Sequence, residues 1–232
     1  MTSEEKDQAE VRKYITTMLN QHFGDVPASV KVLIQLPFVA IHLSGFVLPT
    51  EQALLKHSQS KRILETRELL LNGLKPELKA ALEEITGQFI EEFYTDWNLE
   101  NETALLLAVT KQDETMDSAD WPDEGVKEKI LEEVIHASKK TLKEPEWTNI
   151  YWLDGYAILI ERSGIMMDLE KEFIKKGMIE ELRVARRPLE QHLMKSPKLK
   201  AILKQEIREL FVDWNFEHDK AYMVLVLEPK NG

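Results

Sequence analysis

Apolar residues recur along this chain at two periods, and the periods alternate in blocks. Val11, Tyr14, Ile15, Met18 and Leu19 fall three or four residues apart, which predicts a helix with one apolar face. Val30, Val32, Ile34 and Leu36 then alternate with more variable residues, Pro37 turns the chain, and residues 38–43 form a returning strand. Pro49-Thr50 opens a long helix, with Thr50 as the expected N-cap of the Glu51-Gln52 turn. That helix is expected to stop near Asn72-Gly73 and a shorter one to start at Pro76. Two strands close the block. In the first, Phe89, Glu91 and Phe93 face opposite to Ile90, Glu92 and Tyr94; the second covers residues 103–109.

The same order then repeats. Residues 126–137 carry Ile130, Val134 and Ile135 at helical spacing. Asn149-Ile150-Tyr151-Trp152-Leu153 and Tyr156-Ala157-Ile158-Leu159-Ile160 flank Asp154-Gly155, a strong hairpin signal because both turn positions need positive φ. A long helix is expected from Asp168 to about Met194, with Pro197 restarting it. The repeat also shows in identities. Ser44-Gly45 aligns with Ser163-Gly164, Pro76-Glu77-Leu78-Lys79-Ala80 with Pro197-Lys198-Leu199-Lys200-Ala201, and Asp96-Trp97-Asn98 with Asp213-Trp214-Asn215. These matches keep their order, and tryptophan is rare, so chance is a poor account of them.

Each half therefore reads α-β-β-α-α-β-β. The expected fold class is α+β: two similar domains, each an antiparallel four-stranded sheet with helices packed on one face. Residues 1–112 form the first domain and 126–232 the second. Acids, small residues and Pro122 mark 113–125 as an acidic linker, with Trp121 expected to dock on a domain.

The net charge of -11 narrows the function. Phosphate backbones are bound by clustered Lys and Arg, and the best cluster, Arg183, Arg186 and Arg187, is small; no nucleic-acid partner is expected. Cysteine is absent, which removes disulfides, thiolate ligands and a cysteine nucleophile and suits a cytoplasmic protein. Residues 32–48 are apolar, but Gln35, Pro37, His42, Ser44 and Gly45 interrupt a stretch already short for a span, so no membrane insertion is expected.

No phosphate loop, nucleophile elbow or metal-ligand histidine spacing occurs. None of His22, His42, His57, His136, His192 and His218 is matched by a histidine in the other half. The expectation is no catalytic residue, no cofactor and no metal. What stands out instead is the set shared by both halves: Glu51, Arg67, Asp96 and Trp97, with Glu170, Arg186, Asp213 and Trp214. On one continuous helix, Glu51 and Arg67 would lie about 24 Å apart and could not touch. Arg67 is then expected to meet Asp96 in a buried pair, or else to build an anion site. Trp97 reads as a packing residue beside an Asx-type turn.

Phe23-Gly24-Asp25-Val26-Pro27, two strands, Leu48-Pro49-Thr50-Glu51, then Arg67 and Tyr94-Thr95-Asp96 together resemble the MpsC-like family. That family is named from a proposed Na+-translocating, membrane-potential-generating system. The second half is the more diverged: Met167-Asp168-Leu169-Glu170 replaces the Pro-Thr-Glu entry and Val212-Asp213 the Thr-Asp pair. The family is small and soluble, so the resemblance implies a soluble protein with a link to ion or bicarbonate transport, and it brings no catalytic residues. The expected function is a cytoplasmic accessory or regulatory protein with a protein partner, a membrane transport protein being the candidate. The alternative is a sensor of a small anion or metabolite, with Arg67 and Arg186 as contacts and a site between the repeats. A fused pair of domains is also expected to form an intramolecular pseudo-dimer.

Overall fold

The computed structural model describes residues 2–111, 121, 125–191 and 196–229. The chain divides into two compact units, Met1–Met116 and Asp117–Gly232.

In the first unit α1 (Ser3–Phe23) buries Val11, Ile15, Met18 and Leu19 on one stripe, as its period predicts. Thr2 caps it, its hydroxyl accepting from the Glu5 N–H while the Glu5 carboxylate accepts from the Thr2 N–H. Strands β1 (Ser29–Gln35) and β2 (Phe38–Ser44) follow, then α2 (Pro49–Lys56) and α3 (Ser60–Thr86), then β3 (Ile90–Asn98) and β4 (Thr103–Thr110). All strand pairs are antiparallel and the sheet order is β1-β2-β4-β3. The two central strands are almost wholly apolar and buried, while the edge strands carry the polar positions.

The second unit repeats this order. It contains α4 (Val126–Thr141), β5 (Trp147–Leu153), β6 (Ala157–Ser163), α5 (Asp168–Lys175), α6 (Ile179–Glu190), α7 (Pro197–Leu203), β7 (Ile207–Asn215) and β8 (Lys220–Leu227). Its sheet order is β5-β6-β8-β7. Both sheets are bulged at the same place, between Ile90 and Glu92 on β3 and between Ile207 and Glu209 on β7. The fold is thus two similar α+β domains, each with a four-stranded antiparallel sheet and helices against it. Asp154 and Gly155 both have positive φ, as the hairpin requires, and Tyr156 extends the loop to three residues before β6.

The helices after the second strand differ from expectation. The first domain does not break its long helix at Asn72-Gly73. α3 runs unbroken through Gly73 and Pro76, because Leu71, Leu74, Leu78 and Leu82 hold one buried stripe across them. The break comes earlier, at residues 57–59, where Ser58 takes a left-handed φ of 57°. The second domain breaks at the matching place, where Gly177 has φ 77°, and Ser196 and Pro197 start α7 as expected. Residues 192–195 lie outside the described residues, as does the expected linker apart from Trp121 and Gly125. Trp121 does dock: its ring lies 5.4 Å from that of Trp152.

Gly45 and Gly164, the repeated Ser-Gly positions, share a left-handed φ of 64°. A Cβ on Gly45 would lie 2.7 Å from Ala28 Cβ, and one on Gly164 would lie 2.5 Å from Glu146 Cβ. Glycine is therefore required twice over, by φ and by the close approach of the loop before β1 or β5.

Candidate functional site

The break between α2 and α3 decides the geometry of the shared residues. It folds α3 back along α2, so Glu51 and Arg67 face each other instead of standing about four turns apart. Arg67 Nε donates to Glu51 Oε1 at 2.8 Å and Nη2 to Oε2 at 2.6 Å. The expectation that these two could not touch is overturned. Nη2 also donates to the Phe46 carbonyl at 2.8 Å, and Glu51 Oε2 accepts from the Leu48 N–H at 2.8 Å. The cap of α2 is thus Glu51, reaching back from the third helical position, not Thr50. One bidentate pair ties the start of α2, the body of α3 and the loop after β2.

The second domain builds the same clamp. Arg186 Nε and Nη2 each donate to Glu170 at 2.7 Å, and Nη2 reaches the Ile165 carbonyl at 2.9 Å. The Met167 N–H donates to Glu170 Oε2 at 2.8 Å. Both guanidinium groups are 1% exposed, so neither is open to solvent.

The expected Arg67–Asp96 pair is not the contact that forms. Asp96 Oδ1 instead accepts from the Trp97 N–H at 2.8 Å, and Asp213 Oδ1 from the Trp214 N–H at 2.8 Å. In the second domain an Arg–Asp pair does occur, but through Arg183, one helical turn before Arg186. Its Nη1 donates to Asp213 and its Nη2 to the Trp214 carbonyl at 3.1 Å. Leu64 holds that position in the first domain.

Aromatic rings cover each clamp, and the two domains supply them differently. Arg67 Cζ sits 4.4 Å from the centroid of the Trp97 ring and 5.2 Å from that of Phe46. In the second domain Ile165 stands where Phe46 would be, and Phe216 stands where the first domain has Leu99. Phe216 stacks on Trp214 at 6.0 Å and lies 5.4 Å from Arg183 Cζ and 6.0 Å from Arg186 Cζ. The ring has moved from one loop to another while the covering of the guanidinium persists.

One polar cluster escaped the reading of the sequence. Arg162 on β6 donates to Ser138 Oγ on α4 at 3.0 Å and to Glu190 Oε1 on α6 at 2.8 Å, and all three are buried. Alignment by the repeat would have marked it, because the matching positions in the first domain are leucines.

These arrangements bind chain to chain. In each clamp both glutamate oxygens and both Nε and Nη2 of the arginine are engaged by protein groups, which leaves no free carboxylate for acid–base work. Among the described residues no group of three or more His, Asp or Glu could hold a metal ion. No helix among them is long and apolar enough to cross a membrane. Comparison with curated proteins and with solved structures returned no match. Comparison with family models returned one, over residues 3–112: the family described as Na+-translocating membrane potential-generating system (MpsC). Those residues span α1 to β4 and include the Glu51–Arg67 clamp, so the match to the MpsC family falls on the first domain of this chain.

Proposed function

We propose that this protein is a non-catalytic accessory or regulatory component of a membrane transport system, located in the cytoplasm, with its first domain as the half that meets the partner. The observation that carries the reading is the match of residues 3–112 to a family described by a Na+-translocating, membrane-potential-generating system. The second domain, in this reading, is a diverged copy. It shares the strand order, the bulge and the buried clamp, and its diverged entry to α5 suits a supporting role. The partner is a membrane transport protein.

Deletion of the gene in its host tests this. The expected result is a fall in sodium-dependent membrane potential that the full chain restores on re-expression, with in-cell cross-links from the first domain to a membrane protein. An unchanged potential, with no membrane protein among the cross-links, sinks the reading.

A small-anion sensor is the second reading, and one observation favours it. In the second domain Arg186 Nη1 and Trp214 Nε1 are buried with no hydrogen-bond partner among the described residues. A thermal-shift titration with chloride, sulfate and phosphate decides it: an anion held there raises the melting midpoint of the parent chain, and a flat response to all three removes the reading.

A further inference from the structure

The two domains share a fold but differ in one block of core chemistry. Ser138, Arg162 and Glu190 form a buried polar triad in the second. At the spacing that aligns Ser44 with Ser163, the same positions in the first are Leu19, Leu43 and Leu71, all fully buried. The register confirms the equivalence on the strands, since Leu43 pairs with Ala104 and Arg162 with Ala221.

The triad is a poor device for stability. A buried ion pair replaced by well-packed apolar residues is often neutral or gains, and the first domain shows the apolar solution working on the same scaffold. Arg162 Nε has no partner among the described residues, so even the pairing that exists is incomplete.

What the pair does is join the two halves of its own domain. Ser138 and Arg162 belong to the α4–β5–β6 half; Glu190 belongs to the half that runs from α5 to β8. The halves meet where β6 pairs with β8, and β2 pairs with β4 in the same register over the same length. Backbone hydrogen bonding therefore cannot tell the first half of one copy from the first half of the other. Misassembly between repeats is the characteristic failure of such chains.

We propose that Arg162 and Glu190 are an assembly key that makes each half-domain choose its own complement. Pairing the α4–β5–β6 half with residues 49–110 sets Arg162 against Leu71. The reciprocal pairing sets Glu190 against Leu43. Each mismatch buries a charge with no counter-charge, which weighs against it by roughly a hundredfold or more. The key works because the copies differ, wherever the charges sit.

The test uses the full chain, which has no cysteine of its own. Ser44→Cys and Lys220→Cys introduce a reporter. Native pairing sets Ser44 against Thr103 and Lys220 against Ser163, on different sheets, whereas a mismatched assembly sets the two introduced thiols opposite each other. In this background the second core is made apolar by Ser138→Leu, Arg162→Leu and Glu190→Leu. After refolding from denaturant this variant should melt at or above the parent and yield roughly tenfold more disulfide between positions 44 and 220, within or between chains. A second variant places the triad in both copies by Leu19→Ser, Leu43→Arg and Leu71→Glu, and it should misassemble to the same degree because the copies again match. An apolar variant that refolds with no more disulfide than the parent overturns the proposal. So does one that melts well below the parent, since the pair is then a stability element; and clean refolding of the second variant overturns it independently.

Discussion

Glu51 and Arg67 stand sixteen residues apart in sequence and 2.6 Å apart in the structure, because α2 ends at Lys56 and α3 returns beside it. Their counterparts Glu170 and Arg186 keep both the spacing and the pair. The clamp is thus a property of the fold, and it anchors α2 and α5, each too short to be a stable helix alone.

Removing one partner leaves the other as an uncompensated buried charge. Arg67→Met should destabilise the first domain by about 3–5 kcal/mol, and Glu51→Gln together with Arg67→Met should cost less than the two single changes summed. Trp97 is the one tryptophan within residues 1–116, and it lies on the guanidinium, so its 19F resonance in the 5-fluorotryptophan-labelled chain, resolved from those of the other four, follows this domain in denaturant. A midpoint that does not move with Arg67→Met would show that the pair contributes nothing.

The Ser-Gly repeat makes a second prediction. Gly45→Ala and Gly164→Ala each add a Cβ in a left-handed conformation and against a neighbouring Cβ, and each should cost about 1–3 kcal/mol. Gly24, with φ 76° and nothing within 4 Å of its Cβ position, is the control: Gly24→Ala meets only the backbone term and should cost less. Equal losses at Gly24 and Gly45 in thermal melts would remove the close-approach argument.

Much of this was visible in the sequence, and the exceptions have physical causes. The periods placed the strands and the first helix of each domain, and the paired Asp-Trp-Asn and Ser-Gly positions fall at equivalent places in the fold. The helix break was missed because Ser58 carries no turn signature, while Pro76 carries a false one that the leucine stripe overrides. Gly177 held the true signal in the other copy, and transferring it through the repeat would have brought Glu51 to Arg67. Arg162 was missed for the opposite reason. A charged residue in a strand reads as solvent-facing, and only its alignment with Leu43 says that the position is buried.

Tyr14 and Tyr151 contribute to an alkaline limit of the chain. Burial, then the charge of Glu77, pushes the Tyr14 hydroxyl from its usual 10.0 up to about 12; it donates to Glu77 Oε1 at 3.3 Å. Burial, then the charge of Glu161, pushes Tyr151 up to about 12, with a bond of 3.2 Å to Glu161 Oε2. Both are raised above the unfolded value, so the folded state favours the protonated phenol. Their contribution is whole below pH 10.0 and is lost as pH rises through about 12. Tyr14→Phe and Tyr151→Phe should each flatten the fall in stability across that window in denaturant titrations. A parent chain whose stability is level from pH 10.0 to about 12 contradicts this.

The exchange of aromatic residues around the clamp makes the last prediction. The first domain covers Arg67 from the loop after β2 with Phe46, and the second covers Arg186 from the far end of β7 with Phe216. If the ring matters as a ring, its position is negotiable while its presence is not. Phe46→Ile alone should cost the first domain about 1–3 kcal/mol, from lost packing and from the lost cation–π contact. Adding Leu99→Phe reproduces the arrangement of the second domain and should recover part of that loss. Leu99→Phe in the parent, where Phe46 already fills the space, should be neutral or unfavourable, since a packed site gains little from more volume. That sign difference between the two backgrounds is the measurement, read as a double-mutant cycle on the Trp97 unfolding curve. Additive effects would mean that the two rings serve separate sites and that the resemblance between the clamps stops at the Glu–Arg pair.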